Sequence, residues 1–329
     1  MAVSITKRAA ILGSAAACLV VGLYPQAAMA EAYPAKPIRI VVPFAAGGAV
    51  DTVARVIGQR VSEQVGQSVI VDNKPGGNAN IGADSVAKAP ADGYTVLLGA
   101  NGLATNMTLT KNLPFDTLRD FAPVAFVGYA PLVLVVPASA PAKNLQEFLA
   151  AARAAPGTFT YGTAGAGGSG HLASELLKSA AKFDALHVPY KGGSPALTDL
   201  IGERLTFMLI NPIEAAPHVK SQRLRALAVS GEKRLAMMPD VPTFKEAGVA
   251  EFDASVWWGF VVPAKTPKEV VTKLSTEILR SLQDPGVREK LQALGAVVDP
   301  AAPEAFGKFL KSEIDKWAAV IRAAKITAE

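Results

Sequence analysis

Two glycine-rich loops are the segments of this sequence whose residue types and spacing best suit chemistry. Gly47-Gly48 precedes a helical pattern that begins near Val50, and a loop from Gly165 to Gly170 precedes a second helical pattern. Glycines let backbone N–H groups approach an anion closely, and the start of a helix adds partial positive charge. One such loop is most simply a tight turn from strand to helix. Two loops at equivalent places in two repeated units favour the binding of one anion between two helix starts.

The second loop also matches a nucleotide-binding pattern. Its residues from Gly165 to Gly170 fit G-x-G-x-x-G between a predicted strand and a predicted helix. A dinucleotide site needs an acidic residue near the end of the next strand, where it binds the ribose. That strand ends Val188-Pro189-Tyr190-Lys191, which contains no acid. The loop therefore predicts an anion site rather than a dinucleotide site.

Catalytic and metal-binding motifs are scarce. The sequence contains no Walker A, H-E-x-x-H or G-x-S-x-G motif. Ser169 and His171 are the residues that an exported hydrolase would use, although a helix cap and a first-turn residue are their simpler roles. The three histidines, His171, His187 and His218, lack the spacing of metal ligands. The sequence predicts neither a cofactor nor a metal site.

Other polar and aromatic residues have two interpretations each. Asp51 falls in the first turn of a predicted helix, where a carboxylate suits either the free N–H groups or a ligand site. Asn101 and Asn211 each follow the last strand of one repeat, as loop residues or as hydrogen-bonding partners of a ligand. Trp257-Trp258 lies in a predicted strand, whose adjacent side chains point to opposite faces. At most one of the two tryptophans should then reach a ligand.

The elements that position these loops occur twice. From Ile38 to Leu98 the order is strand, glycine loop, helix, strand, glycine pair, helix and strand. The same order runs from Phe159 to Ile210. Alternating strands and helices with short loops predict a parallel α/β sheet with right-handed crossovers. Two copies predict two similar α/β lobes.

Two apolar stretches outside the repeats predict strands that cross between the lobes. They run from Val124 to Val136 and from Val256 to Val262. The helices that follow the second stretch have no counterpart in the second repeat, so we expect them to pack on the first lobe. The predicted division is a signal peptide at 1–30, lobe one at 31–130 plus 251–329, and lobe two at 131–250.

A helix in the C-terminal part carries clear end signals. Thr266-Pro267-Lys268-Glu269 has the order of an N-cap, a proline at the first helical position and a capping-box acid. Asp284-Pro285-Gly286 predicts its end. A last helix shows one apolar face from Phe306 to Ile321.

The first thirty residues predict an export signal. Lys7-Arg8 is a short positive segment, residues 9–24 carry no charge, and Ala28-Met29-Ala30 is a cleavage signature. A membrane anchor needs about 20 apolar residues and is the weaker interpretation. Lipidation at Cys18 and twin-arginine export at Lys7-Arg8 are further alternatives. Cleavage after Ala30 would place the protein in the periplasm.

Composition narrows the function further. The chain of 329 residues is 50% hydrophobic and 19% charged, which is typical of a globular protein. Its net charge is +5 without a basic run, so a small anion suits it better as a partner than nucleic acid. Cys18 is the one cysteine, and cleavage after Ala30 would remove it. The mature protein would then have neither thiol catalysis nor disulfides.

The sequence resembles a known family at these loops and along nearly the whole mature chain. The segment from Tyr33 to Phe44, leading to Gly47-Gly48 and Asp51, is similar to the opening of the Bug-type, tripartite tricarboxylate transporter substrate-binding proteins. Further segments that resemble this family are Asn73–Gly77, Asp92–Thr95, Tyr161–Gly165, His187–Gly192, Leu224–Val229 and Leu235–Thr243.

This resemblance implies a type II-like periplasmic-binding-protein fold, with two α/β lobes joined by two crossover strands in a Venus flytrap. It implies a small carboxylate bound by the loops from Phe44 to Gly48 and from Thr163 to Ser169, mainly through backbone groups and bridging waters. Two departures stand out. Ala46 replaces the usual proline, which implies a less rigid first loop. Asn106-Met107 replaces the usual Asn-Pro, which puts the pocket wall after Asn101 in question.

The sequence therefore predicts a periplasmic solute receptor for a small organic carboxylate, without enzymatic activity. It would act as a monomer and deliver its ligand to the membrane subunits of a secondary transporter or to the ectodomain of a sensor kinase. An exported hydrolase that uses Ser169 and His171 is the alternative. The predicted ligand-binding residues are Phe44, Ala46, Gly47, Gly48, Asp51, Asn101, Thr163, Ala164, Gly165, Gly168, Ser169 and Asn211.

Overall fold

The computed structural model describes residues 33–231, 233–249, 252, 254–293, 295–323 and 326–327. The predicted export signal, residues 1–30 with Cys18, lies outside these residues. In the described part of the chain, no helix is both long enough and apolar enough to cross a membrane.

Strands and helices alternate along most of the chain, as the repeated pattern predicts. The strands are β1 (Ile38–Val42), β2 (Val69–Asn73), β3 (Thr95–Gly99), β4 (Phe121–Pro131), β5 (Val133–Pro137), β6 (Thr160–Thr163), β7 (Leu186–Pro189), β8 (Met208–Ile210), β9 (Leu224–Val229), β10 (Ser255–Pro263) and β11 (Val297–Ala301). The helices are α1 (Ala49–Val65), α2 (Asn80–Ala87), α3 (Gly102–Leu109), α4 (Thr117–Asp120), α5 (Leu145–Ala154), α6 (Ser169–Ala181), α7 (Gly193–Ile201), α8 (Pro212–Lys220), α9 (Lys268–Gln283), α10 (Pro285–Ala293) and α11 (Pro303–Ala323).

The sheet of the first lobe has the strand order β11-β4-β10-β3-β1-β2. β1 pairs in parallel with β2 and with β3, so the first repeat forms the parallel arrangement that its sequence predicts. β10 inserts between β3 and β4 and runs antiparallel to both. The first lobe is therefore built from strands of both the early and the late part of the chain.

The strands between β4 and β10 form the second lobe. β6 pairs in parallel with β7, and a parallel bridge joins Tyr161 of β6 to Phe207 beside β8. β5 lies between β8 and β9 and is antiparallel to both. The parallel arrangement predicted for the repeats is thus observed, whereas β5 and β10, which lie outside the repeats in the two crossover stretches, are antiparallel to their neighbours. Each of these two strands is the first to enter a lobe from the other lobe, so it runs against the strands that it joins.

Ser230 holds the two connections between the lobes together. Its hydroxyl accepts a hydrogen bond from Leu132 N at 2.8 Å and donates one to the carbonyl oxygen of Ala254. Leu132 lies between β4 and β5, and Ala254 directly precedes β10. Because Ser230 is buried, loss of its hydroxyl would leave a buried N–H and a buried carbonyl without this partner.

The tryptophan pair on β10 belongs to the core. Trp257 and Trp258 are both almost completely buried, and they pack into separate apolar clusters on opposite faces of the sheet. Trp257 Nε1 donates to Glu313 Oε2 at 3.1 Å, which ties α11 to the sheet. Neither tryptophan is among the described residues that line the cavity between the glycine loops.

The predicted ends of the C-terminal helix have different outcomes. α9 ends at Gln283, directly before Asp284, as the sequence predicts. The prediction of Thr266 as its N-cap is wrong, because the helix begins at Lys268 and the preceding residue has no side-chain cap. Thr266 Oγ1 instead donates to the carbonyl oxygen of Pro263 at 2.7 Å, so the preceding turn uses this hydroxyl.

Candidate functional site

A cavity of about 70 Å³ lies between the two glycine loops. Phe44 and Gly48 line it from the loop before α1, and Ala164 and Gly168 line it from the loop before α6. A water needs roughly 10–15 Å³ of such volume, so the cavity has room for several waters. The starts of α1 and α6, one from each lobe, therefore border the same cavity.

The first loop turns from β1 into α1 at Gly47-Gly48. Gly47 has φ +79°, a left-handed conformation that favours glycine, and Gly48 is the N-cap residue of α1. Asp51 Oδ2 accepts a hydrogen bond from Gly47 N at 2.9 Å, and Asp51 Oδ1 pairs with Arg55 at 2.9 Å. Burial alone would raise the pKa of Asp51, but hydrogen bonds from Arg55, Gly47 and Asn73 hold it below its ordinary value. Asp51 thus stabilises the loop from within and is not among the described residues that line the cavity.

The second loop turns from β6 into α6 through two glycines with left-handed φ, Gly165 at +142° and Gly167 at +71°. A Cβ atom on Gly165 would lie 2.6 Å from Asn78 Oδ1, so glycine permits a close approach of the two lobes here. The prediction that Ser169 caps α6 is wrong, because the N-cap residue is Gly168. Ser169 is the first residue of the helix and lines the cavity.

Hydrogen bonds across the cleft hold the lobes closed on the cavity. Thr105 Oγ1 of α3 donates to the carbonyl oxygen of Gly167 at 2.6 Å. Ala45 N, in the first loop, donates to the carbonyl oxygen of Lys191 at 3.3 Å. Each bond joins a residue that follows a strand of the first lobe to a residue of the second lobe. The closed arrangement therefore depends on polar contacts at the rim of the cavity.

An amide network holds the wall after Asn101, the wall that the Asn106-Met107 departure puts in question. Asn106 is buried, and its Nδ2 donates to Asn78 O at 2.8 Å and to Asn80 Oδ1 at 2.7 Å. Its Oδ1 accepts a hydrogen bond from Asn78 Nδ2 at 2.6 Å. The side chain of Asn106 thus fixes this wall without a proline after it.

Asn101 and Asn211 have different surroundings, although they occupy matching positions in the two repeats. Asn101 Nδ2 donates to Ser255 O at 3.2 Å, and its Oδ1 accepts from Trp257 N at 3.1 Å, so this amide anchors β10. Asn211 is buried, lines the cavity, and has no hydrogen-bond partner for its Oδ1 among the described residues. Of these two side-chain amides, that of Asn211 is therefore the one with an oxygen available for a ligand.

Sequence reasoning missed Glu214, in the first turn of α8, which lines the cavity. Its Oε1 accepts a hydrogen bond from Ala49 N, at the start of α1, at 2.9 Å. Burial raises the pKa of Glu214 to about 7, against the opposing effect of the hydrogen bond from Ala49. Glu214 lies three residues after Asn211, which is the spacing of a capping box. From the sequence it therefore resembles a residue that caps its own helix, whereas in the structure it binds the start of α1.

The histidines do not form a catalytic pair with Ser169. His171 Nδ1 accepts a hydrogen bond from Gly167 N at 2.8 Å, and His187 Nε2 lies 2.6 Å from Thr163 Oγ1. Burial lowers the pKa of His171 to about 4. Across the described residues, no hydrogen bond joins Ser169 to His171, and no cluster of His, Cys, Asp and Glu side chains is arranged to hold a metal ion.

The predicted ligand-binding residues fall into two groups. Those that line the cavity are Phe44, Gly48, Asn101, Ala164, Gly168, Ser169 and Asn211. Those that shape the loops without lining it are Ala46, Gly47, Asp51, Thr163 and Gly165. Cavity residues that sequence reasoning did not predict include Asn78, Leu132, Gly193, Glu214 and Val256. Ligand contact by any of these residues stays a prediction.

Two α/β lobes that are joined by two connections, and that close on a cavity at helix starts, define a periplasmic binding protein. A family model described as "Tripartite tricarboxylate transporter family receptor" matches residues 53–326. The chain belongs to this receptor family, as the resemblance implies.

Relatives and solved structures agree with this family. Protein BugT of Bordetella pertussis is 36% identical over 295 residues, which cover 89% of this chain and 90% of BugT. The structure of Rpa4515 from R. palustris with adipate has a TM-score of 0.87 and 35% identity, over 90% of this chain and 99% of that chain. MatC (Rpa3494) from Rhodopseudomonas palustris with bound malate has a TM-score of 0.83 and 31% identity, over 88% of this chain and 100% of that chain. The predicted family and the two-lobed fold are confirmed.

Proposed function

We propose that this protein is a solute receptor that captures a small organic carboxylate between its two lobes. The observation that carries the proposal is the convergence of the starts of α1 and α6 on one cavity. Each helix start offers partial positive charge and backbone N–H groups that the helix itself does not use.

The lining of the cavity also supports an anion held by backbone groups. Among the described residues that line it, none is a lysine or an arginine. Adipate and malate, the ligands bound to two similar proteins, are both carboxylates. A small carboxylate is therefore the ligand class that the cavity and the relatives favour together.

Capture would serve delivery rather than catalysis. Since the family is described as a transporter receptor, we expect the membrane subunits of a tripartite transporter as the partner, or else the ectodomain of a sensor kinase. The receptor would act as a monomer in the periplasm after cleavage following Ala30. We assign residues 31–130 plus 251–329 to lobe one and 131–250 to lobe two. The strand membership of the sheets supports this division, because the six-stranded sheet contains β1–β4, β10 and β11, and the other sheets contain β5–β9.

A thermal-shift screen of carboxylates, followed by calorimetry, tests the proposal. At 100 times its dissociation constant, a ligand should raise the free energy of unfolding by roughly 2.7 kcal/mol. Failure of every carboxylate in the screen to bind would contradict the proposal. Recovery of the bound compound unchanged would separate a receptor from a hydrolase that uses Ser169 and His171.

A further inference from the structure

The carboxylate of Glu214 stands where a ligand anion would be expected, at the start of α1. Its Oε1 accepts the hydrogen bond from Ala49 N at 2.9 Å. A Cβ atom on Gly48 would lie 2.9 Å from the same oxygen, and a Cβ atom on Gly193 would collide with the carboxylate. The glycines at 48 and 193 therefore leave a space that the side chain of Glu214 fills. One of the two helix starts at the cavity is already bound to an acid of the protein itself.

On the side of the cavity formed by the start of α8, the polar side chains of Asn211 and Glu214 offer hydrogen-bond acceptors and no positive charge. A carboxylate has about four acceptor positions. Ala49 N is the only hydrogen-bond donor to Glu214 among the described residues. Asn211, three residues earlier at the start of the same helix, contributes a buried amide oxygen without a partner among the described residues. A ligand that enters the cavity therefore meets acceptor capacity here that only a donor group can satisfy.

The opposite side of the cavity has the complementary character. Gly168, Ser169 and Gly170, at the start of α6, line it there. The free N–H groups of a helix start favour an anion. A ligand carboxylate is thus best placed at α6, which directs the rest of the ligand toward Glu214.

We propose that Glu214 is a specificity-determining residue that accepts a hydrogen bond from a donor group of the ligand. The receptor then prefers carboxylates that also carry an ammonium or hydroxyl group over carboxylates that carry neither. This inference rests on the proposed carboxylate receptor function and names the subclass of ligand. An ammonium group suits the site best, because it also balances the charge of the Glu214 carboxylate.

Matched ligands test the inference directly. Propionate, lactate and alanine share a three-carbon skeleton and differ in having no donor, a hydroxyl or an ammonium group at one carbon. Succinate, malate and aspartate repeat the comparison on a four-carbon skeleton. By calorimetry with the exported protein, the ammonium and hydroxyl members of a series should bind at least about tenfold more tightly than the plain member, which corresponds to about 1.4 kcal/mol.

Glu214→Gln separates the role of the charge from that of shape. The glutamine carbonyl can still accept the hydrogen bond from Ala49 N, while its amide adds a donor in place of an acceptor. The preference for the ammonium member should fall by about tenfold or more, and the plain carboxylate should gain affinity. Glu304→Gln, which removes the charge of an exposed acid on α11, should leave all affinities unchanged. If Glu214→Gln does not fold by circular dichroism, Glu214→Ser also removes the charge, and the preference for the ammonium member should fall in the same way.

The outcomes distinguish this inference from the proposed function. Equal affinities within each series, unchanged by Glu214→Gln, would overturn the role of Glu214 and leave the carboxylate receptor standing. Tightest binding of the plain member by the wild type, kept in Glu214→Gln because the glutamine amide still donates, would show that a protonated Glu214 donates to the ligand and would also overturn it. Failure of these six compounds and of adipate to bind would count against the carboxylate receptor itself.

Discussion

The imidazole rings of His171 and His187 stack with their centroids 3.9 Å apart and their planes 13° apart. The stack continues to Tyr161, whose ring centroid lies 5.0 Å from that of His187. One ring accepts a hydrogen bond from Gly167 N, and the other meets Thr163 Oγ1, so the pair supports both ends of the second glycine loop. Protonation of both rings would place two positive charges in contact within the second lobe.

Acid should therefore destabilise the protein through this pair. Burial lowers the pKa of His171 to about 4, and burial together with His171 and Lys178 lowers that of His187 to about 3, from an ordinary value of 6.5. At pH values between the lowered pKa of the folded protein and the ordinary value of 6.5, the unfolded chain binds more protons than the folded one. The free energy of unfolding should therefore fall as pH decreases from 6.5 toward 4. Each unit of lowered pKa corresponds to about 1.4 kcal/mol.

Urea unfolding at pH 7 and at pH 5 measures this effect. The wild type should lose more stability between the two pH values than His187→Phe, which keeps an aromatic ring without a titrating group. Equal losses in both proteins would show that His187 does not carry the acid sensitivity.

Glu214 should act on stability in the opposite direction. Burial raises its pKa to about 7 from an ordinary value of 4.5, so between these values the folded protein binds more protons than the unfolded chain. The free energy of unfolding should then decrease as pH rises through this window. Glu214→Gln should be more stable than the wild type at pH 8, and the difference should vanish near pH 5. Denaturant titrations at both pH values test this, and an identical difference at the two values would contradict it.

Substitution of the glycines at the helix starts should affect ligand binding, because a new side chain there takes up space at the cavity and can add a charge. A Cβ atom on Gly48 would meet Glu214 Oε1 at 2.9 Å, whereas on Gly168 its nearest contact is Gly165 O at 3.5 Å. We expect Gly48→Asp and Gly168→Asp to abolish carboxylate binding in calorimetry. Gly168→Asp adds a negative charge beside the anion, and Gly48→Asp must displace the Glu214 side chain at the cavity. Gly168→Ala is the matched control, because it adds a Cβ atom, for which there is room, without adding a charge.

Lys191→Ala should cost at most about 1 kcal/mol of binding energy, as an exposed and screened charge. If both aspartate variants bind normally while Lys191→Ala does not, the ligand is held by a cation rather than by helix starts.

Ser230→Ala should destabilise the connection between the lobes. The substitution leaves Leu132 N and the carbonyl of Ala254 without the hydroxyl that they share, at an expected cost of about 1–3 kcal/mol. Ser312→Ala removes an exposed hydroxyl from α11 and should change stability far less. Comparable losses in the two variants by urea unfolding would argue against a special role for Ser230.

Ligand binding should close the two lobes. The closed arrangement described above joins α3 to the second loop through Thr105 and Gly167, and it encloses the cavity. A ligand that binds the closed form better shifts the population toward it. Small-angle scattering should show a smaller radius of gyration at saturating ligand for the wild type, with no change for Gly168→Asp. An unchanged radius in the wild type, with binding proven by calorimetry, would contradict closure.

The sequence by itself determined the elements that repeat and the loops between them. The predicted strand from Ile38 to Pro43 is observed as Ile38–Val42, and the helix predicted near Val50 begins at Ala49. Such elements follow from periodicity and glycine positions, which act over a few residues. The family resemblance could likewise be recognised from the sequence, because its motifs lie at these same turns between strands and helices.

Tertiary structure decided which distant groups meet. Glu214 and Ala49 are 165 residues apart, and only the packing of one lobe against the other brings the carboxylate to the helix start. The same holds for the direction of β5 and β10, which depends on the lobe from which each strand arrives. The histidine stack likewise joins residues on different elements, and its lowered pKa values arise from burial. Local patterns carry no information about burial or partners at such separations, so the charge and the donor preference of the cavity were decided by the fold.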